Sequence, residues 1–301
     1  MTKQKVAFCI AKNKWQEADW WQALVVAATD AVEDPEIDMV GLFVNGSAQP
    51  DFNKNNAAAS VLNARRVELT DTARNDVVEQ VDASAADWLY WWDDDTIHPR
   101  YTLKRLLALQ RPFVSGVYHV KNEPYVPIAY FRNEGGTYRP MLKYQRGELV
   151  TVDFVGMGCA LIHKQVYADI RANHTVLKTE RGSYMVVQNS QMYNDEIDSL
   201  DEGVFTGSDG NQYYMQPVRV VDDEEQIITK LQFPYYGMEV TRTEDIWFCQ
   251  LAEHVGYKPT VDTDITCDHL GSIRIGRDSF RRYQFVPKEE ADEQAQAAAN
   301  S

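Results

Sequence analysis

Long apolar runs are missing from this chain of 301 residues: none approaches the roughly 20 residues a helix needs to cross a bilayer, so no membrane span is expected. Cysteine is scarce and dispersed. Cys9, Cys159, Cys249 and Cys267 form no Cys-x-x-Cys pair, which argues for reduced, buried thiols in a cytoplasmic protein. Positive charge is in the minority, with 30 Lys and Arg against 45 Asp and Glu and a formal net charge of −15. That balance excludes a protein whose whole surface grips a polyanion, because phosphate contacts need clustered Lys and Arg, but it leaves room for a local basic patch. The first residues lack the apolar core and small-residue cleavage site of a signal peptide, and Val6-Ala7-Phe8-Cys9-Ile10 reads as a first strand. No internal repeat is visible.

What is present suits a globular core: 44% hydrophobic and 25% charged residues in a chain long enough to fold without disulfides. Short apolar runs at Val6 to Ile10, Met39 to Val44, Arg66 to Leu69, Trp88 to Trp92 and Phe113 to Val117 alternate with helical periodicity. Parallel strands joined by crossover helices, an α/β domain, account for that pattern. Trp20, Leu24, Val25, Ala28 and Val32 are expected on one helical face, and Ala73, Val77, Val78 and Val81 on another. A helix is expected over 99–109, with Pro99 at its first position. The glycine-interrupted runs of 152–162 lead toward a helix near Gln165 to Ile170. Residues 173–235 are polar and Tyr-rich and read as loops and short strands. Thr243 to His254 reads as a helix and Tyr257 to Thr266 as a strand, while Lys288 to Ser301 reads as a disordered tail.

The buried run Trp88-Leu89-Tyr90-Trp91-Trp92 ends in Asp93, Asp94 and Asp95, at the carboxyl end of a central strand, where open α/β sheets bind ligands. Adjacent carboxylates repel one another unless a cation neutralises them, and hard oxygen ligands suit Mg²⁺ or Mn²⁺ bridging a diphosphate. A helix cap before Pro99 is the simpler alternative. Asp93-x-Asp95 after an apolar strand resembles the DxD motif of GT-A glycosyltransferases, the family 2-like enzymes and phage-type members included. The helix with Arg74, the Val114-Ser115-Gly116-Val117-Tyr118 strand, Val155-Gly156-Met157-Gly158, Thr243-Glu244-Asp245 and His269-Leu270-Gly271 follow the family's order.

The resemblance implies a GT-A fold, Rossmann-like, with a mostly parallel sheet flanked by helices and a polar insertion at about 173–242. It would occupy residues 1–287, with a nucleotide-sugar half at 1–120 and an acceptor half at 121–287. It implies transfer of a sugar from a nucleotide-sugar, a UDP-sugar by expectation, to a hydroxyl acceptor. Asp95 and His269 are the candidate metal ligands. Asp93 would reach the ribose, the metal or both. Imidazole beside carboxylate tilts the metal toward Mn²⁺ over Mg²⁺. Asp245, with Glu244 as neighbour or substitute, is the candidate base for an inverting transfer, although acids in a first turn are also favoured by the helix dipole. Gly158 would line the donor site.

Arg74 lies at the buried edge of its helix and wants an anion, either a diphosphate, Asp93 or an ordinary salt-bridge partner. The segment 272–283 gathers Arg274, Arg277, Arg281 and Arg282. Arg274 or Arg277 could clamp the diphosphate, or the patch could meet a hydroxymethylated base in DNA; solvated surface charge is the plain alternative. The acceptor is otherwise a glycan, and Tyr184, Tyr193, Tyr213, Tyr214, Tyr235 and Tyr236 offer stacking platforms for either. A nucleotidyltransferase or two-metal nuclease could use the same aspartates, and a non-catalytic sugar-nucleotide-binding module could retain them.

Overall fold

The computed structural model describes residues 3–11, 18–45, 84–179, 184–188, 204–206, 212–214, 233–237, 243–271 and 274–280, together with 74, 75, 77, 78 and 81. The strand expected at Arg66 to Leu69, the tail at 288–301, Tyr193, Arg281 and Arg282 lie outside the described residues.

The chain opens with strand β1 (Gln4–Ala11), helix α1 (Ala18–Glu33) and strand β2 (Ile37–Asn45), with the two strands paired in parallel. Side chains of β1 alternate between two cores. Val6, Phe8 and Ile10 pack with Trp20 and Leu24 of α1, while Ala7 and Cys9 pack with Val77, Val78 and Val81 on the opposite face. The buried stripe of α1 is Trp20, Leu24, Ala27 and Ala31, a helical repeat of four and three residues. Val25 and Val32, expected on that face, are exposed, because each is rotated about a third of a turn from the stripe.

Strand β3 (Trp88–Trp92) is buried along its length and is followed by the short strand β4 (Thr96–Ile97) and helix α2 (Thr102–Ala108). The helix starts three residues later than Pro99. Residues 99–102 close a turn in which the Thr102 N–H donates to the Pro99 carbonyl at 3.0 Å, and the first i to i−4 bond is Arg105 to Tyr101. Strands β5 (Phe113–Val117), β6 (Ala129–Arg132), β7 (Tyr138–Pro140), β8 (Leu149–Thr151), β9 (Phe154–Val155) and β10 (Cys159–His163) then lead into helix α3 (Lys164–Asn173).

Four strands of the expected insertion, β11 (His174–Thr179), β12 (Tyr184–Gln188), β13 (Val204–Thr206) and β14 (Gln212–Tyr214), form one antiparallel sheet in the order β12-β11-β14-β13. Residues 233–237 return to the main core. The chain closes with helix α4 (Glu244–His254), strands β15 (Thr260–Thr266), β16 (Asp268–Leu270) and β17 (Arg274–Ile275), and the single-turn helix α5 (Arg277–Phe280).

The central sheet has seven strands in the order β2-β1-β3-β10-β5-β15-β8. It is mostly parallel. β2, β1, β3, β5 and β15 run one way; β10, inserted between β3 and β5, and β8 at the edge run the other. This is an α/β architecture with apolar cores on both sheet faces. Among the described residues, no helix is long and apolar enough to cross a membrane.

Candidate active site

The carboxyl end of β3 carries the aspartates because the chain must leave the buried sheet there. Trp20 Nε1 at 3.0 Å and the Thr96 N–H at 3.1 Å both donate to the Asp93 carbonyl, and Trp92 Nε1 donates to the Thr96 carbonyl at 2.8 Å. The turn is thereby held rigid and delivers β4 to β16. His269 pairs with Thr96 across that ladder, and the Leu270 N–H donates to the Asp95 carbonyl at 2.7 Å.

Backbone pairing sets His269 Nε2 3.3 Å from Asp95 Oδ1. His269 Nδ1 donates to the His119 carbonyl at 2.6 Å. A carbonyl can only accept, so Nδ1 carries a proton, and Nε2 is the ring nitrogen turned toward the carboxylate. Burial raises the Asp95 carboxyl, but the His269 hydrogen bond and the charges of His269 and Lys121 outweigh it and hold the carboxyl well below its usual range. The pair fits a divalent cation by its donor set, one hard oxygen and one imidazole nitrogen whose far side is oriented by a backbone carbonyl.

Asp93 points elsewhere. Arg74 Nη2 donates to Asp93 Oδ1 at 2.6 Å, and Asp245 Oδ1 lies 3.9 Å from the same nitrogen. Arg74 is 1% exposed, with its guanidinium 5.2 Å from the Trp91 ring and 5.7 Å from the Tyr236 ring. Two hydrogen bonds between the Asn75 side chain and the Tyr236 backbone, at 2.7 and 2.9 Å, pin its helix. Its Nε and Nη1 have no hydrogen-bond partner among the described residues. A desolvated guanidinium draws in the nearest carboxylate, which accounts for Asp93 joining Arg74. Of the anions the sequence left open for Arg74, Asp93 is the one in contact. Among the described residues, Asp93, Asp95 and His269 do not form a set of ligand atoms within 4.8 Å of one another.

Such a set is made by His98, Cys159 and Cys267, all buried. His98 uses Nδ1 with the Tyr90 hydroxyl at 2.5 Å and Nε2 with the Gly158 carbonyl at 2.7 Å, and it stacks on Trp92 at 3.9 Å. With both ring nitrogens engaged, this histidine buttresses Gly158. All four cysteines are free and buried.

Asp245 occupies the first turn of α4, behind Thr243, whose hydroxyl accepts from the Ile246 N–H at 3.5 Å. Burial and the charges of Glu244 and Asp93 push its carboxyl well above the usual range, against the pull of Arg74 and the Met157 N–H. Glu244 is raised as well, by burial first and then by Asp93. The site therefore carries one carboxylate held ionised, Asp95, and one held toward its protonated form, Asp245. A group that is easily reprotonated suits proton transfer.

Tyr118 joins these parts. Its hydroxyl accepts from the Gly158 N–H at 3.0 Å, and its ring meets that of His269 edge-on at 5.4 Å. A Cβ on Gly156 would lie 1.9 Å from the Tyr118 hydroxyl oxygen, and one on Gly158 would lie 2.8 Å from the ring. Gly158 thus shapes the site through Tyr118.

Arg274 bonds Asp268 at 2.6 Å and approaches Asp19 at 3.8 Å, while Arg277 donates to the Thr263 carbonyl. Both guanidiniums are engaged by the protein itself. Tyr235 and Tyr236 are buried in the core and offer no stacking platform, because the aromatic segment 233–237 packs under Trp247, whose Nε1 donates to the Pro234 carbonyl at 3.0 Å. Sequence reasoning passed over Lys121, whose ammonium is paired with Asp95 Oδ2. No motif marks it, since only tertiary structure brings the turn after β5 to the end of β3.

No family model matches the chain, and no curated protein matches it. Among solved structures it is similar to the crystal structure of A197 from STIV, at 12% identity and a TM-score of 0.43, over 92% of this chain and 91% of that one. A likeness of that degree carries no argument about function.

Proposed function

We propose that the protein is a metal-dependent glycosyltransferase of the GT-A type that moves a sugar from a nucleotide-sugar, a UDP-sugar by preference, to a hydroxyl acceptor. The observation that carries this reading is Asp95 facing the carbonyl-oriented His269 at 3.3 Å, at the carboxyl end of a central strand. Asp95 and His269 would hold Mn²⁺ or Mg²⁺, which when bound stabilises the negative charge on the departing nucleoside diphosphate. Arg74 offsets the charge of Asp93 and leaves that aspartate oriented at the rim of the same turn. Asp245 is the acceptor-side base in an inverting transfer: in its ionised form a carboxylate oxygen takes the hydroxyl proton, and its raised affinity for protons makes that form the stronger base. Glu244 beside it sustains the elevated affinity.

The test is a screen of nucleotide-sugars for metal-dependent release of nucleoside diphosphate, followed by glycan and hydroxymethylated-DNA acceptors with the preferred donor. Asp95→Ala should lower turnover by about 10² to 10³, the scale of losing a group that stabilises transition-state charge. Undiminished turnover in Asp95→Ala or in excess chelator overturns the reading. Consumption of a nucleoside triphosphate or DNA with no sugar present would favour a phosphoryl-transfer enzyme instead.

A further inference from the structure

Asp95 has two partners, His269 and Lys121, and a single short segment orients the first and supplies the second. His119 gives its carbonyl to His269 Nδ1, so it sets the ring that faces Asp95 Oδ1; Lys121, two residues later, places its ammonium on Asp95 Oδ2. The segment is held at its base. His119 bridges to Pro127, the Val120 N–H donates to the Val126 carbonyl at 2.9 Å, and the Tyr125 N–H donates to the Asn122 carbonyl at 2.8 Å. With the backbone pinned, the free part of Lys121 is its four-carbon stem.

The Asp95 and Lys121 side chains are 25% and 30% exposed, so the ammonium can leave for solvent without breaking a sealed core. A carboxylate oxygen in contact with an ammonium is not free to bind a hard divalent cation, and the same charge attraction drives both contacts. Resting on the donor reading above, we propose that Lys121 is an internal counter-cation for Asp95. It competes with the divalent cation for the carboxylate, and when displaced its freed ammonium turns to the donor's phosphates. The exchange breaks one ion pair and forms another with no covalent change. An ordinary rim salt bridge would have no such effect on metal loading.

The experiment is a calorimetric titration of the intact protein, Lys121→Gln and Lys121→Arg with Mn²⁺ alone, then with UDP at saturating Mn²⁺; thermal melts verify that each variant is folded. Lys121→Gln should bind Mn²⁺ more tightly by about three- to tenfold, and Lys121→Arg should stay near the parent. UDP binding in Lys121→Gln should weaken by a similar factor. Unchanged or weaker Mn²⁺ binding in Lys121→Gln, or no Mn²⁺ binding by any of the proteins, overturns the competition. Tighter Mn²⁺ with UDP binding undiminished overturns the phosphate contact. Tighter Mn²⁺ with no UDP binding to any of them supports the competition and sinks the donor reading.

Discussion

Arg74 is fully buried and places Nη2 2.6 Å from Asp93 Oδ1, so the first aspartate of the run is held by a cation from a helix that precedes the strand. Asp245 and Glu244 add two further carboxyl groups to the same surroundings. Arg74→Met would leave these acids without their cation. Stability in urea should fall by about 3 kcal/mol, the usual scale for orphaning a buried charge. Combining it with Asp93→Asn should recover part of that loss. A double variant as unstable as the sum of the two singles would show that the ion pair is not what Arg74 contributes.

The raised Asp245 carboxyl makes a prediction about pH. From its ordinary value near 3.8 upward, the unfolded chain gives up this proton while the native protein keeps it. The native state then binds more protons, and this group's contribution to stability falls as pH rises until the native carboxyl also ionises. Asp245→Asn should remove that decline, so its melting temperature, compared with the parent from pH 4 upward, should gain progressively. Parallel curves would rule out a raised carboxyl. Transfer activity should be lost in the same variant.

Asp95 has the opposite sign. Its native carboxyl lies below the ordinary value, so its contribution is present above the unfolded value and is lost as pH falls toward the native one. Asp95→Asn should flatten the acid side of the stability profile, most visibly below pH 4. An acid limb identical to that of the parent would remove the inferred charge assistance from His269 and Lys121.

Gly156 and the Tyr118 hydroxyl are incompatible with a side chain between them, at 1.9 Å from an added Cβ. Gly156→Ala should cost about 1–3 kcal/mol by overpacking. Tyr118→Phe removes the clashing oxygen, although the ring carbon at 2.9 Å remains. The double variant should therefore be less destabilised than the two single changes added together, and strict additivity in chemical denaturation would contradict this packing.

In α1, Leu24→Ala should cost about 2–5 kcal/mol and Val25→Thr less than about 0.5 kcal/mol, since the first is buried and the second exposed. Equal effects on the urea midpoint would mean that the helix packs through the face its valines suggested.

Periodicity made much of the architecture legible. The short, largely apolar runs at 6–10, 88–92 and 113–117 are central strands, and Thr243-Glu244-Asp245 opens a helix, because both signals are local: burial on two faces removes alternation, and a hydroxyl caps its own first turn. The helix over 18–33 was legible in kind and in part of its facing: Trp20 and Leu24 are buried as expected, whereas Val25 and Val32 are exposed, since valines carry the same apolar signal whether they face the core or solvent. The tyrosines at 235 and 236 misled for the same reason, being aromatic residues in a polar stretch that return to the core.

The candidate residues Asp93, Asp95, His269, Arg74 and Asp245 were present in the order of residues, yet their partnerships were not. Pairing of β4 with β16 joins Asp95 to His269, desolvation of Arg74 draws Asp93 away from them, and the turn after β5 brings in Lys121. Sequence pattern records which way a side chain faces relative to its neighbours in the chain. Which distant side chain it meets is decided by strand order and burial, and so by tertiary structure alone.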